Sequence, residues 1–96
     1  MSVTRINEFR AKDGEDVSLY ALLASFLPII AAADGCQSCQ LLHNLNDPAR
    51  LIIIETWDSV EAHQEVVKKI PQQHLEKALE LLACPPRGTY YIPCDD

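Results

Sequence analysis

The sequence predicts an α+β fold, a ferredoxin-like βαββαβ arrangement in which helices cover one face of an antiparallel sheet. Two observations lead to this prediction. Stretches typical of strands alternate with stretches of helical periodicity, in the order strand, helix, strand, strand, helix, helix, strand. In addition, residues 51–54 are four consecutive large apolar residues, followed closely by a helix start. Such an unbroken apolar run is typical of a strand buried on both faces.

The first half of the chain supplies a strand, a helix and a hairpin. Ile6 and Phe9 anchor the first strand, which ends before a turn at Asp13-Gly14. The first helix is apolar nearly all round, so it is expected to be buried on more than one side, and Gly35 is expected to terminate it. A turn over residues 46–49 then joins two antiparallel strands. The expected strands are 3–12, 36–45 and 51–57, and the first helix is expected at 17–33.

The second half begins with a capped helix. Asp58 or Ser59 can accept hydrogen bonds from the first free amides, and Asp58 with Glu61 fits a capping box. His63 then lies on an apolar stripe of helical spacing over residues 60–70. Pro71 interrupts this helix and is well suited to begin the next one, over residues 71–82. The last strand is expected at 89–93.

Composition narrows the class of protein. Residues 1–96 are expected to form a single domain, since 96 residues suffice for one modest core, and a hydrophobic content of 48% excludes a disordered chain. A net charge of −6 argues against nucleic acid or an anionic membrane as partner. The N-terminal residues lack the apolar core of a signal peptide, and no apolar run reaches the ~20 residues of a membrane span. A soluble, cytoplasmic protein is therefore expected.

Cys36 and Cys39 raise the question of a metal or redox site. Residues three apart on a strand point to opposite faces, which keeps two thiols from converging. A four-ligand zinc site also needs a second close pair, whereas Cys84 and Cys94 are ten residues apart. No metal site is expected, and the four cysteines are interpreted as reduced thiols.

The segment Ile-Glu-Thr-Trp-Asp-Ser-Val-Glu-Ala, residues 54–62, resembles the signature of the antibiotic biosynthesis monooxygenase family. In that family a strand ends in an acidic residue and a tryptophan, followed by a Ser-x-Glu-Ala-like helix start. Asp34-Gly35-Cys36 before the next strand agrees with the pattern. The resemblance implies a homodimeric α/β barrel, with two sheets facing each other, and an activity like that of quinol monooxygenases.

Two departures from the family pattern concern Val66. Some haem-degrading relatives use an asparagine in the first strand, as Asn7 is placed here. However, those relatives carry a tryptophan at the position of Val66, so haem degradation is not expected. Other members often have a histidine about one turn after His63, again where this chain has Val66. His63 would therefore be a displaced substitute for that residue.

The expected binding site is the cavity between sheet and helices, which would take a small apolar or aromatic ligand. No nucleotide-binding, nucleophile-elbow or metal-binding motif occurs in the sequence, so no cofactor is expected. Oxygenation without a cofactor needs a base, donors for the developing anion and a dry apolar shell. The candidate catalytic residues are His63 as base, with Asn7 and Trp57. The candidate substrate-binding residues are Phe9, Leu23, Phe26, Leu27, His43, Val67, His74 and Tyr90.

Competing interpretations stay open at the level of sequence. His63 and Trp57 are also residues that commonly pack in a core, and Asn7 also suits an exposed strand position. A dimeric barrel that binds a ligand without turnover, a stress-response protein of the same fold, and an isomerase of small keto-compounds are the alternatives to a monooxygenase.

Overall fold

The computed structural model describes residues 2–95 and confirms the α+β, ferredoxin-like fold. The chain runs through β1 (Val3–Arg10), α1 (Asp16–Ala31), β2 (Cys36–Asn44), β3 (Asp47–Trp57), α2 (Val60–Val67), α3 (Gln72–Leu81) and β4 (Arg87–Tyr91). Within the described residues the strands form one antiparallel sheet in the order β2-β3-β1-β4. No helix in residues 2–95 is long and apolar enough to cross a membrane.

The central strand β3 separates two different faces of the sheet. Leu51, Ile53, Glu55 and Trp57 are buried, whereas the residues between them are half-buried. Successive side chains of a strand point to opposite faces, so the buried set faces the helices and the half-buried set faces away from them. We call these the helix side and the open face of the sheet. The open face is apolar at its centre, where Ile54 lies opposite Ile6.

Two predicted boundaries of the hairpin are wrong. The turn consists of Leu45 and Asn46 only, and β3 already begins at Asp47. Pro48 is tolerated in this strand because it has no partner residue in either neighbouring strand. Pairing with β1 begins only at Arg50, and pairing with β2 skips from Asp47 to Leu51.

The predicted capping box is also wrong. Ser59, the other candidate, caps α2 by accepting a hydrogen bond from the backbone N–H of Ala62 at 3.2 Å. The Asp58 carboxylate instead accepts from the Gln37 side-chain amide at 2.7 Å. Asp58 therefore ties β2 to the end of β3 and does not cap the helix.

The prediction that Cys36 and Cys39 point to opposite faces is wrong because β2 contains a bulge. Cys36 pairs with Trp57 and Ser38 with Thr56, so Gln37 is an extra residue that restores Cys36 to the face of Cys39. Both cysteines pack against the core as free thiols. Burial is the main reason that the pKa of each thiol is raised, and the charge of Glu55 raises both further. The neighbouring thiol raises the pKa of Cys36 and lowers that of Cys39.

The prediction that Gly35 terminates the first helix is wrong, because α1 ends at Ala31 with Ala32 as its C-cap. Gly35 instead matters for packing, which a comparison with Gly14 can test. Gly14 and Gly35 both have positive φ, +80° and +88°, but only Gly35 is crowded: a Cβ there would lie 2.7 Å from the Cβ of Ala62. Alanine at either position is expected to cost about 1–2 kcal/mol for the left-handed conformation. Gly35→Ala should lose at least about 1 kcal/mol more, because α2 must move to accept the methyl group. Urea unfolding of both variants measures the difference, and equal losses would contradict the packing argument.

Candidate active site

A cavity of about 370 Å³ lies between the helix side of the sheet and the helices, where the sequence predicted a binding site. Its walls are mostly apolar side chains from α1, α2 and α3, and Phe26, Val66 and Leu75 are examples. Its polar groups come from the sheet and from α2. They are Arg5, Asn7, Glu55 and His63. An apolar pocket with a few convergent polar groups is the usual form of a small-molecule site.

Glu55 is the centre of the polar group. Its side chain is 3% exposed. The Trp57 indole N–H donates to Oε1 at 2.8 Å, and the Asn7 side-chain amide donates to Oε2 at 3.1 Å. Burial raises the pKa of this carboxyl, although the donors Trp57 and Asn7 and the charge of Arg5 oppose the shift. A carboxyl with a raised pKa is closer to the range in which general acids and bases work at neutral pH.

His63 connects Glu55 to the last strand. Its Nδ1 lies 2.6 Å from the Tyr90 hydroxyl, and its Nε2 lies 3.8 Å from Oε1 of Glu55. Trp57 and Tyr90 both pack edge-on against the imidazole. Burial first, and then the positive charge of Arg5, lowers the pKa of His63. The neighbouring carboxylate does not hold the ring charged, because burial disfavours charge on both partners.

Arg5 brings the positive charge of the site. Its Nε donates to Oδ1 of Asn7 at 3.0 Å, and its guanidinium carbon lies 4.6 Å from the centre of the Tyr90 ring. Room for this arrangement comes from Gly88, which lies opposite Asn7 in the β1–β4 register; a Cβ at Gly88 would collide with both Arg5 and Asn7. Arg5 is thus held by a hydrogen bond and a cation–π contact, beside the buried carboxyl.

The predicted site residues divide into three groups. Phe9, Phe26, Val67, Asn7 and His63 line the cavity. Four others do not line it: Trp57 and Leu23 are fully buried, Leu27 packs against the core, and Tyr90 contacts His63. His74 stacks on Phe26 with ring centres 6.1 Å apart, whereas His43 lines a different cavity at one end of the sheet. The catalytic and substrate-binding roles assigned to them from sequence stay predictions.

Sequence reasoning missed Glu55 and Arg5 as site residues. A signal was available for Glu55, since an acidic residue continues an aliphatic strand predicted to be buried, and buried carboxylates are rare without partners. Arg5 had a weaker signal: it alternates with Val3, Asn7 and Phe9 and therefore shares their face.

The side chains around this cavity can accept and pass protons, bind an anion and exclude water. Glu55 and His63 are titratable, Arg5 carries the positive charge, and the walls are apolar. Within residues 2–95, no three His, Cys, Asp or Glu side chains are grouped so that they could hold a metal ion. Glu55 and His63 are the acid–base pair among these side chains.

The lowered pKa of His63 predicts a specific dependence of stability on pH. Because the folded value lies below the unfolded one of about 6.5, the unfolded chain binds the proton more readily. The contribution of His63 to stability is therefore present above the unfolded pKa and is lost as pH falls through the folded pKa. NMR titration of the imidazole should give a midpoint below 6.5. The free energy of unfolding should fall less steeply with decreasing pH in the His63→Gln variant. The control His43→Gln, at an exposed position, should leave this pH dependence unchanged. A midpoint at or above the free value would contradict the buried, neutral ring.

Comparison with known proteins gives a consistent family assignment. The model of the antibiotic biosynthesis monooxygenase family matches residues 2–79. No curated protein sequence matches this chain. Among solved structures, Rv0793 from Mycobacterium tuberculosis has a TM-score of 0.86 and 26% identity, with 100% of this chain and 98% of that chain covered. Protein SO0527 from Shewanella oneidensis has a TM-score of 0.84 and 25% identity, with 94% and 88% covered.

A third structure has a functional description. A variant of SnoaB, a cofactor-independent oxygenase from Streptomyces nogalater, is similar with a TM-score of 0.83, covering 97% of this chain and 93% of that one. At 16% identity this similarity concerns the fold alone. The family model covers most of the chain, from β1 through most of α3. The chain therefore belongs to the antibiotic biosynthesis monooxygenase family.

Proposed function

We propose that this protein is a monooxygenase that oxidises a small phenol or hydroquinone in the helix-side cavity, using molecular oxygen and no bound cofactor. The observation that carries the proposal is Glu55, a buried carboxyl with a raised pKa that lines an apolar cavity. Such a group serves a reaction that begins with removal of a proton. The family match and the fold shared with a cofactor-independent oxygenase support the same reaction class.

In this proposal the ionised Glu55 accepts the proton of a substrate hydroxyl. Trp57 and Asn7 hold the two carboxylate oxygens, so they orient the base and do not themselves bind substrate. His63 lies against the carboxylate. In the tautomer that carries its hydrogen on Nδ1 and donates it to the Tyr90 hydroxyl oxygen, Nε2 is free to accept the proton from Glu55. His63 and Tyr90 thus offer a route by which the proton can leave the site.

The substrate anion then reduces oxygen. A hydroquinone and one O₂ give a hydroxyquinone and one water, with all the electrons supplied by the substrate. The positive charge of Arg5, which also lines the cavity, stabilises the developing phenolate. The apolar walls exclude water from the reactive anion. A cavity of about 370 Å³ suits a molecule of one to a few rings.

Oxygen consumption with a panel of hydroquinones and anthrone-like phenols tests the proposal. Addition of catalase separates two outcomes. If the protein only oxidises the substrate by two electrons and makes hydrogen peroxide, catalase releases half of the consumed oxygen again, whereas after monooxygenation it releases none. Product formed under ¹⁸O₂ should carry one heavy oxygen atom. Saturable binding without oxygen uptake would favour the non-catalytic binding protein, and turnover of keto-compounds without oxygen would favour the isomerase.

A further inference from the structure

The helix-side cavity has a polar end and an apolar end. Part of its floor is β1, where side chains on the same face follow one another at intervals of about 7 Å. Arg5 and Asn7 come first, and Phe9 follows them. Beyond Phe9, Ala11 forms an isolated bridge with Leu82, which also lines the cavity. Along β1 the lining therefore changes from polar to apolar.

The wall formed by α2 changes in the same way. His63 lies beside Glu55, which is opposite Arg5 in the β1–β3 register, so the helix contributes its titratable side chain to the polar end. Val67 lines the cavity one helical turn later, about 6 Å further along the axis. Ile70, in the connection to α3, continues this apolar wall. The floor and the wall thus agree on which end of the cavity is apolar.

The apolar end reaches solvent between α2 and α3. α2 packs on β3, whereas α3 packs chiefly on α1, and the cavity lies between the two helices. Val67 is 42% exposed and Leu79 is 59% exposed, and both line the cavity. They are the two exposed large apolar side chains of α2 and α3, and we call them the rim. The rim is on the helix side, so a second copy that covers the open face leaves it accessible.

We propose that the substrate is a phenol or hydroquinone that carries an aliphatic substituent on the side of the ring away from the reacting hydroxyl. This assignment depends on the proposed function, in which the hydroxyl meets Glu55 and Arg5 at the polar end. The substituent then lies along the apolar end and covers the rim. A single ring fills only part of a cavity of about 370 Å³, so there is room for it.

The opposite orientation is unfavourable for two reasons. It would place the aliphatic group against the charged and polar side chains, where it could not replace their hydrogen bonds. It would also leave the substrate hydroxyl among apolar side chains without a partner. In the proposed orientation the substituent removes apolar surface of the ligand and of the rim from water, which is the main source of its binding free energy.

Binding of para-alkylphenols tests the proposal without requiring turnover. Calorimetric titration with para-ethylphenol, para-butylphenol and para-hexylphenol should show an affinity that rises about two- to fourfold for each methylene group. The terminal methyl group of para-hexylphenol should give nuclear Overhauser effects to the methyl groups of Val67 and Leu79. The ring protons should give them to His63.

A variant of the rim separates binding in this cavity from unspecific adsorption of a longer chain. Val67→Thr/Leu79→Gln should reduce the gain from para-ethylphenol to para-hexylphenol about threefold or more, because less apolar surface is buried. Affinity for para-cresol, which is too short to reach the rim, should stay within about twofold. The control Val17→Thr/Leu45→Gln makes the same two changes at exposed positions outside the cavity and should keep the full gain.

Absence of binding, equal affinity across the series, or a gain that the rim variant keeps overturns the proposal. If longer chains bring no gain and the rim variant loses self-association that the parent has, the rim meets a second copy of this chain and the substituted substrate is wrong. Oxygen uptake is measured separately. Binding that depends on chain length without oxygen uptake contradicts the monooxygenase alone, whereas uptake with hydroquinones and no dependence on chain length contradicts the substituted substrate alone.

Discussion

Glu55→Gln is expected to lower the oxygenase rate by about 10²–10⁴-fold while the protein stays folded. Glutamine has nearly the same shape and can still accept from the Trp57 indole N–H, but it cannot take up a substrate proton. The loss should appear in kcat, because the base acts in the reaction step and the apolar walls that bind the substrate are unchanged. Steady-state oxygen uptake with the best hydroquinone of the panel measures it.

Two further measurements separate a base from a residue that only supports the fold. The rate of the parent protein should fall as pH drops through the raised pKa of Glu55, because only the carboxylate accepts a proton. Trp57→Phe removes one donor to that carboxylate, which raises its pKa further, so the acid limb should move to higher pH. A Glu55→Gln variant with the parent rate, or an acid limb that Trp57→Phe does not move, would exclude Glu55 as the base.

The same carboxyl has the opposite effect on stability from that of His63. Its folded pKa is raised, so its contribution to stability is present below the unfolded pKa and is lost as pH rises through the folded value. A buried ionised carboxylate is thus a cost to the fold at neutral pH. Retaining such a group at the wall of a cavity is typical of functional sites.

The element order could be predicted because local periodicity determines it, whereas the centre of the site depends on pairing between distant residues. Asn7 and Glu55 are 48 positions apart, and only the register of β1 against β3 brings them within hydrogen-bonding distance. The apolar stripe identified His63 as inward-facing, but nothing local indicated that its partners would be Tyr90 and Glu55.

The wrong predictions concern details of local geometry, namely the face on which Cys36 lies and the residue that caps α2. The bulge at Gln37 moves Cys36 to the face of Cys39. A prediction that assumes strict alternation of faces along the strand does not include such an inserted residue. Asp58 and Ser59 were both suitable caps. Ser59 takes that place because the Asp58 carboxylate is engaged by Gln37.

Ile54→Lys is expected to separate a homodimer into unstable monomers. We propose that the parent chain has a light-scattering mass near twice 10.7 kDa at micromolar concentration. The physical reason is the open face, where Ile54 lies opposite Ile6, and Leu42 opposite Ile52, with no helix above them. The same face of a second copy is the simplest cover for such a patch, as in a two-fold symmetric dimer. A lysine at its centre would have to lose its water in the interface.

The variant should therefore show a lower mass and a much lower urea midpoint, which falls further as the protein is diluted, since association stabilises the folded chain. Gln64→Lys adds the same charge at an exposed position of α2 and should leave the mass unchanged. Ile54→Thr keeps the branched shape and is the milder variant to measure if Ile54→Lys does not fold. It should weaken association without abolishing it, because threonine buries less apolar surface. A parent protein that scatters as a monomer at micromolar concentration would show that the open face of the sheet is exposed to water and that dimerisation is not required for folding.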